Sequence, residues 1–478
     1  MMFCGGALLI FVGCHGLFLV ASPAARCTTT TTTLRSTAAA ASSSTTSTFQ
    51  WSHHWYPVMP LSYANDKRPN AFELLGKRLV LWKSNETWSC VADACPHRLA
   101  PLSCGSVTKR GALTCRFHGW SFGADGACME IPNAIDPVDP SLSCAEAFPV
   151  REVGGLLWVW PDSKSALAAA AASVALPPSP PTEWVMTTPP VSYESMLENS
   201  MDPSHAPFLH EFAKDRMIPM SSVSVGRDDA TGFTIFHNGY REANEGMLAT
   251  RNFVAPSLVD VTYKLPTGKI QHYPVFFTPS NPLETRVIAG LGALSLAKWL
   301  PRWCADFLHV LLFTRDALWK FNDQDRLVMM GQDVAQLAEG KTQAAHTGRT
   351  TPSDVGVEVF KRWIDRSGKP FAPGTSSSQL ANFDETRSRW YVHGRHCPSC
   401  QRGLAFIDAS RKLFGRLGLL AAAAAAVLVT VGRTYPAVYA IVAALAAYGT
   451  SRYADQLQAA LFGKQKELWI PQVYRQPA

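Results

Sequence analysis

Acidic residues are missing from the first 65 positions of this 478-residue chain. Charged residues make up only 17% of the whole, and no run of lysine or arginine extends beyond short pairs such as Arg411–Lys412. The net charge of +7 therefore owes much to absent acids at the N-terminus rather than to a basic patch, which argues against a nucleic-acid partner. Long uncharged apolar runs are scarce in the body of the chain and appear near its end, at 417–432 and 434–451. Cysteine is not scarce: there are twelve. A chain with 47% apolar residues can bury a large core and needs no disulfide stapling. The crowding of Cys90, Cys95, Cys104, Cys115, Cys128 and Cys144 therefore points to metal binding.

The acid-free N-terminus has two parts. Residues 5–21 (GGALLIFVGCHGLFLVA) form a short apolar core followed by small residues, as in a signal peptide. Residues 26–50 are rich in Ser, Thr and Ala, carry Arg26 and Arg35, and have a transit-peptide composition. A signal sequence followed by a transit peptide, over 1–50, resembles the bipartite leader of algae whose plastids lie inside extra membranes. The competing reading is a disordered stalk on a secreted protein.

From Trp51 to about residue 165, short apolar runs are broken by Gly, Pro and Asn. The runs Arg78–Trp82, Trp88–Ala92 and Gly155–Trp160 read as strands of a small all-β domain. An Ala-rich piece and PPSPP (Pro177–Pro181) make a linker over 166–182. Strand and helix signals then mix over 183–392, with strands at Phe233–His237 and Leu258–Tyr263 and a helix at Arg315–Leu337, so the second domain is expected to be α+β. The two uncharged stretches, separated by Arg433 and with Pro436 set to start the second, predict a membrane hairpin over 412–451. Each is slightly shorter than the roughly 20 residues a span needs, but Arg416 and Arg433 lengthen the first by snorkelling. Arg411, Lys412, Arg416 and Arg452 flank the open end, so both ends face the same side of the membrane. A buried soluble hairpin is the alternative, and 452–478 is left as a tail.

Within the β domain, Cys95-Pro96-His97 and Cys115-Arg116-Phe117-His118 give CxH-x17-CxxH. Two thiolates and two imidazoles on paired loops are the ligand set of a Rieske [2Fe–2S] centre, in which the neutral imidazoles raise the potential above that of a four-cysteine cluster. Zinc is the main rival, although zinc sites favour close pairs such as CxxC over a Cys and His interleaved in both halves. Downstream, Asp202, His205 and His210 form D-x2-H-x4-H. An oxygen-activating non-haem iron needs two His and a carboxylate on one face with positions left open, and His205 and His210 fit as the imidazoles.

CPHRLAPLSCG, LTCRFHGWSFGADGACMEIP, HHWYPV (53–58) and LLGKRLVLW (74–82) resemble the plastid family of Rieske oxygenases that contains pheophorbide a oxygenase and chlorophyllide a oxygenase, and lie nearer the former. Cytochrome-complex Rieske proteins carry extra cysteines where this chain has Ala100 and Phe117, which disfavours a simple electron carrier. Cys104 departs from the family, which usually has a carboxylate there.

The resemblance implies an N-terminal all-β Rieske domain and a helix-grip-like α+β catalytic domain, with a [2Fe–2S] cluster and mononuclear Fe(II). It implies that Asp202 links a cluster histidine to an iron-ligand histidine, here written His118–Asp202–His205, often across the boundary of a homotrimer. It also implies that a downstream Asp completes the iron site: Asp325 by spacing to Gln332, with Asp323 as the alternative. The expected chemistry is monooxygenation of a chlorophyll-derived tetrapyrrole with O2 and electrons from reduced ferredoxin, at a plastid membrane, and ring opening of pheophorbide leads. Hydroxylation of a related tetrapyrrole or bilin, and a redox-sensing component of plastid protein import, are the alternatives.

Finally, His393-Gly-Arg-His396-Cys397-Pro-Ser-Cys400 packs two His and two Cys into the segment 393–403. It reads first as a dithiol switch at Cys397 and Cys400 that thioredoxin reduces, and second as a zinc site.

Overall fold

The computed structural model describes residues 49–132, 134, 144–210, 216–218, 220, 222–290, 300–314, 319–339, 351–371 and 388–462. The expected leader, apart from its last two residues, and positions 463–478 of the expected tail lie outside these.

Frequent Gly, Pro and Asn keep the N-terminal strands short, and they form three small antiparallel sheets. In the first, β1 (Tyr56–Pro60) and β10 (Val150–Val153) flank β11 (Leu156–Val159). The second runs β2 (Asn70–Leu74), β3 (Lys77–Ser84), β4 (Thr87–Ala92) and β9 (Ala147–Phe148). The third, β5 (Ser106–Val107), β6 (Leu113–Thr114), β7 (Ser121–Phe122) and β8 (Cys128–Glu130), carries the cysteine-rich loops. Leu75 and Gly76 close the β2–β3 turn with φ of 51° and 76°, the doubly left-handed backbone that matches hairpin twist.

The Ala-rich connector is more ordered than the linker read from its composition. Ala166–Ala171 forms α1, as alanine's helix propensity favours. Arg151 donates to the carbonyls of Ala169, Ala170 and Ala172 at 2.9, 2.8 and 2.6 Å, satisfying groups that a helix end leaves unpaired.

A seven-stranded antiparallel sheet follows, in the order β12 (Trp184–Thr187), β18 (Glu284–Gly290), β17 (Ile270–Asn281), β16 (Leu258–Lys264), β15 (Leu248–Val254), β14 (Gly232–Asn238), β13 (Val223–Asp229). Burial alternates along β15, where Ala249, Arg251 and Phe253 point inward, the period-two signature of a half-covered strand. The covering layer is α2 (Tyr193–Met201) and α6 (Asp354–Ser367): Tyr193, Leu197, Phe360 and Trp363 pack on Phe233, Phe253, Val259 and Phe277. This is the α+β arrangement expected. The sheet also docks on the N-terminal domain. Trp158 meets Phe276 edge-on at 5.3 Å, buried Arg286 donates to Val58 O at 2.8 Å, and the Leu75 and Gly76 amides donate to Pro279 and Ser280 carbonyls at 2.9 and 2.8 Å.

The helices α4 (Arg302–Thr314) and α5 (Trp319–Glu339) precede a C-terminal antiparallel pair, α7 (Pro398–Thr430) and α8 (Thr434–Leu461). Residues 315–318 of the expected helix lie outside the described set. The expectation separated the CxxC segment from a hairpin beginning at 412, but α7 runs through both. Asp408 pairs with Arg411 at 2.9 Å and Lys412 at 2.6 Å, and such i,i+3 and i,i+4 pairs support a continuous helix. Gly432, at φ 74°, makes the turn into α8, which runs on to Leu461. At the base, Val310, Ile407, Leu457 and Leu461 share a core, and Arg402 pairs doubly with Asp306 at 2.6 and 2.8 Å. Farther along, Leu419, Leu420, Val427, Tyr439 and Leu445 are exposed. By length and composition α7 is able to cross a membrane.

Phe253 is fully buried between the sheet and Trp363. Phe253→Ala should therefore cost about 3–5 kcal/mol of stability, read by denaturant unfolding of the solubilised protein. A loss below about 1 kcal/mol would contradict this packing.

Candidate metal centres

The cysteine-rich loops are conformational twins. In each, the cysteine amide donates to the carbonyl five residues on, Cys95 to Ala100 and Cys115 to Trp120, both at 2.8 Å. The amide four residues on donates back to the cysteine carbonyl, from Leu99 at 2.7 Å and from Gly119 at 3.0 Å. Leu99 and Gly119 both take a left-handed backbone, φ 59° and 76°. Glycine adopts it freely, whereas for Leu99 it costs about 1–2 kcal/mol. Asp93 braces the first loop by accepting from Ser103 N and Oγ, both at 2.7 Å.

These turns bury the sulfurs of Cys95 and Cys115 and leave His97 and His118 toward the surface. The two imidazoles lie 4.6 Å apart, and His97 stacks flat on Trp120 at 4.7 Å. His97 Nδ1 is buried with no hydrogen-bond partner, as a nitrogen aimed at a metal would be. Burial pushes the Cys95 thiol up to about 11, with the neighbouring Cys115 adding to it. Burial, His118 and Arg98 push His97 down. Burial thus favours the neutral imidazole of His97, the form that binds a metal, and keeps the Cys95 thiol protonated until a metal displaces the proton. The chemistry of the donor set fits the [2Fe–2S] cluster. Among the described residues, two groups of three or more donor side chains converge to within 4.8 Å. The four cluster donors are not one of them, and this wider spacing suits two irons better than a single zinc. Cys104 is exposed at the loop edge.

The second centre starts from α2. Asp202 ends that helix, and its Oδ1 accepts from Ser204 N at 2.9 Å and Ser204 Oγ at 2.6 Å, turning the chain into a 3-10 turn and then α3 (Ala206–Leu209). His205 Nδ1–H donates to Asp202 O at 2.7 Å, and His210 Nδ1–H to Gln324 Oε1 at 3.4 Å. Both tautomers then present Nε2 as a lone pair, and second partners of this kind are what orient ligating histidines. Asp325, on α5, brings Oδ1 to 3.3 Å from both Nε2 atoms. That buried oxygen accepts no hydrogen bond of acceptable geometry, so the three groups point at a shared centre rather than at one another. They form one of the two convergent groups. Burial opposes protonation of His205, but Asp325 outweighs it and holds the group above its ordinary value. For His210 burial prevails and lowers it, against Asp325 and Gln324.

The alternative carboxylate, Asp323, is buried in a pair with Arg389 and with Arg326, the latter at 2.7 Å. It is not among the donors that converge with the histidines. Asp202 meets His205 through its carbonyl rather than its carboxylate, and among the described residues no contact joins it to His97 or His118. Asp333 is a contributor that sequence reasoning missed. It accepts from Ser192 N and Oγ at 2.7 Å each and from Ser195 Oγ at 2.6 Å, pinning α5 to the start of α2. An acid two turns beyond Asp325 on the same helix was the available signal.

At the C-terminal motif, Cys397 caps α7 and Cys400 lies in its first turn. His393 faces the sulfurs, whereas His396 Nε2 is engaged by Arg395 Nε at 3.0 Å. His309 of α4 joins His393, Cys397 and Cys400 in the second convergent group. A lone distant histidine gave no signal of this.

A Rieske [2Fe-2S] domain matches residues 54–143. Pheophorbide a oxygenase of Oryza sativa subsp. japonica is 30% identical over 421 residues, covering 77% of this chain and 75% of that protein. Flavonoid 8-hydroxylase 2 of Ocimum basilicum is 29% identical over 405 residues, covering 74% and 73%. The crystal structure of dicamba monooxygenase bound to dicamba superposes with a TM-score of 0.51 at 20% identity, over 67% of this chain and 98% of that one, and shares the fold. A Rieske domain docked on a helix-covered sheet defines a Rieske-type oxygenase, with a [2Fe–2S] cluster and a mononuclear iron as cofactors. The chain belongs to the plastid family of such enzymes that includes pheophorbide a oxygenase.

Removing the Asp333 clamp should loosen α5 against the histidines. Asp333→Ala is expected to weaken retention of the mononuclear iron about 10–100-fold, measured by iron analysis during dialysis, while the Rieske EPR signal is kept. Unchanged retention would refute the clamp.

Proposed function

We propose that this protein is a monooxygenase of a chlorophyll-derived tetrapyrrole, most specifically one that opens the macrocycle of pheophorbide a. The observation that carries the reading is the meeting of His205, His210 and Asp325 at one point behind an intact cluster motif, together with the extended likeness to pheophorbide a oxygenase. In this reading Cys95, His97, Cys115 and His118 hold the cluster, and His205, His210 and Asp325 hold the iron. Bound there, the two groups supply electron delivery and O2 activation.

The chain's own residues do the positioning. Asp202 O and Gln324 fix the imidazole tautomers, and Asp333 fixes the helix that carries Asp325. His210 is fully buried while His205 is 26% exposed, so the centre opens on the His205 side, where exposed Phe208 offers an apolar surface to a flat macrocycle. The cavity on the Asp325 side, about 70 Å³ and lined by Asn199, Met329 and Arg389, holds little more than water.

His118 is exposed and Asp202 half-buried, and one oxygen of Asp202 is committed to Ser204. This supports a bridge from Asp202 to His118 of a neighbouring chain in a homotrimer. Reduced ferredoxin serves as electron donor, and the site of action is a plastid membrane. The apolar far half of the α7–α8 hairpin spans the bilayer. At 1.5 Å per residue a helix of this length reaches about 50 Å, more than the roughly 30 Å of hydrocarbon, so the base remains outside with its arginines.

Incubating the solubilised enzyme with pheophorbide a, related tetrapyrroles, reduced ferredoxin and labelled O2 tests the reading. One labelled oxygen atom is expected in an opened macrocycle. Absence of product from every pigment, with both metal sites filled, would reject catalysis and favour a sensor. His205→Ala should abolish turnover with the Rieske EPR signal intact. Asp202→Asn should keep all iron yet slow cluster reoxidation by O2 in single-turnover experiments, and a normal rate would contradict the bridge. Truncation before Leu417 should move the protein to the soluble fraction, and a protein still bound to membranes would reject the hairpin anchor.

A further inference from the structure

The base of the C-terminal hairpin carries a second constellation that the oxygenase chemistry leaves unused. His309 on α4, His393 in the π-helical turn Trp390–Gly394, and Cys397 and Cys400 at the start of α7 bring one donor atom each to within 4.8 Å of all the others. Cys397, Cys400 and His393 are essentially buried, at 2%, 0% and 0% exposure. We propose that His309, His393, Cys397 and Cys400 bind a structural zinc ion that clips the membrane hairpin to the catalytic domain.

Three observations carry this. First, Cys397 Sγ and His309 Nε2 are 3.5 Å apart. Zinc bonds of about 2.3 Å to sulfur and about 2.0–2.1 Å to nitrogen, set at the tetrahedral angle, separate the two atoms by about 3.6 Å. Second, His393 Nδ1–H donates to Met186 O at 2.8 Å, which fixes the ring and turns Nε2 toward the sulfurs, the second partner that ligating histidines have. Third, the donors come from separate segments that the fold had to bring together. A dithiol switch needs only the two cysteines and one accessible sulfur. It explains neither the two converging imidazoles nor the burial of both thiols. Two thiolates and two neutral imidazoles balance the ion's charge, so the complex is neutral in a buried position. His309 and Cys397 also line a cavity of about 910 Å³, which gives the ion a way in.

The clip lies on the α4–α7 seam. One turn beyond it, a Cβ added to Gly403 would come within 2.3 Å of Val310, and Arg402 pairs with Asp306. Zinc would therefore fix the hairpin beside this close helix–helix approach.

The full-length protein, purified in detergent without a histidine tag, should contain one zinc per chain beyond its iron, by mass-spectrometric metal analysis. Cys400→Ser and His309→Ala should each lower zinc by at least about tenfold with the Rieske EPR signal retained. His396→Ala, next to the site but outside it, should keep the zinc. Because the first two variants remove packing as well, His309→Cys provides a second arm. It should still bind, and cobalt loaded in place of zinc should show tetrahedral spectra shifted toward three-sulfur ligation. Wild-type protein without zinc, its Cys397–Cys400 pair cycling as a disulfide under thioredoxin, would overturn the proposal. Zinc that persists in both Cys400→Ser and His309→Ala, or iron in its place, would do the same. The outcome is independent of whether pheophorbide is the substrate.

Discussion

The approach of Asp325 to His205 and His210 is the contact on which the catalytic half depends. The two imidazoles come from one short segment after α2, and their spacing needs only local turns. The carboxylate comes from a different helix, and its Oδ1 lies 3.3 Å from both nitrogens because α5 is held against α2. Asp333 does the holding through three hydrogen bonds to Ser192 and Ser195. A buried carboxylate oxygen with no hydrogen bond of its own is costly unless a cation shares its site, which favours this geometry as a metal site. The same helix carries both Asp325 and Asp333, so the convergence of the three side chains and the α2–α5 packing stand or fall together.

The N-terminal centre is built on a different principle. The four side chains proposed to hold the cluster lie on two loops of nearly identical hydrogen bonding, each pinned by its cysteine and released by a left-handed residue. The sulfurs face the domain's interior and the imidazoles its surface. Within one chain these histidines do not touch Asp202. The inter-chain bridge proposed above rests on this separation, with His118 exposed and Asp202 half-buried.

The helical hairpin divides along its length. Its base is a packed part of the protein, with an apolar core, the Arg402–Asp306 pair and the four convergent metal donors. Its far half is apolar apart from Arg433 in the turn, and largely uncovered. The boundary near residue 417 separates a segment that folds against the oxygenase from one whose apolar side chains are left exposed.

What the sequence alone determined is what short range controls. The CxH and CxxH loops, the D-x2-H-x4-H turn, the alternating strands and the uncharged C-terminal runs are contiguous patterns, and local hydrogen bonding and burial carry them into the structure unchanged. Sequence spacing left Asp323 and Asp325 open, since residues two apart on a helix point about 200° apart and either was able to face the histidines. The tertiary structure distinguished them: Arg326 and Arg389 engage Asp323, while Asp325 converges with the histidines. It likewise turned His393 rather than His396 toward the cysteines and supplied His309 from a helix far away in the chain. Those choices depend on which segments pack together, and no local pattern encodes them.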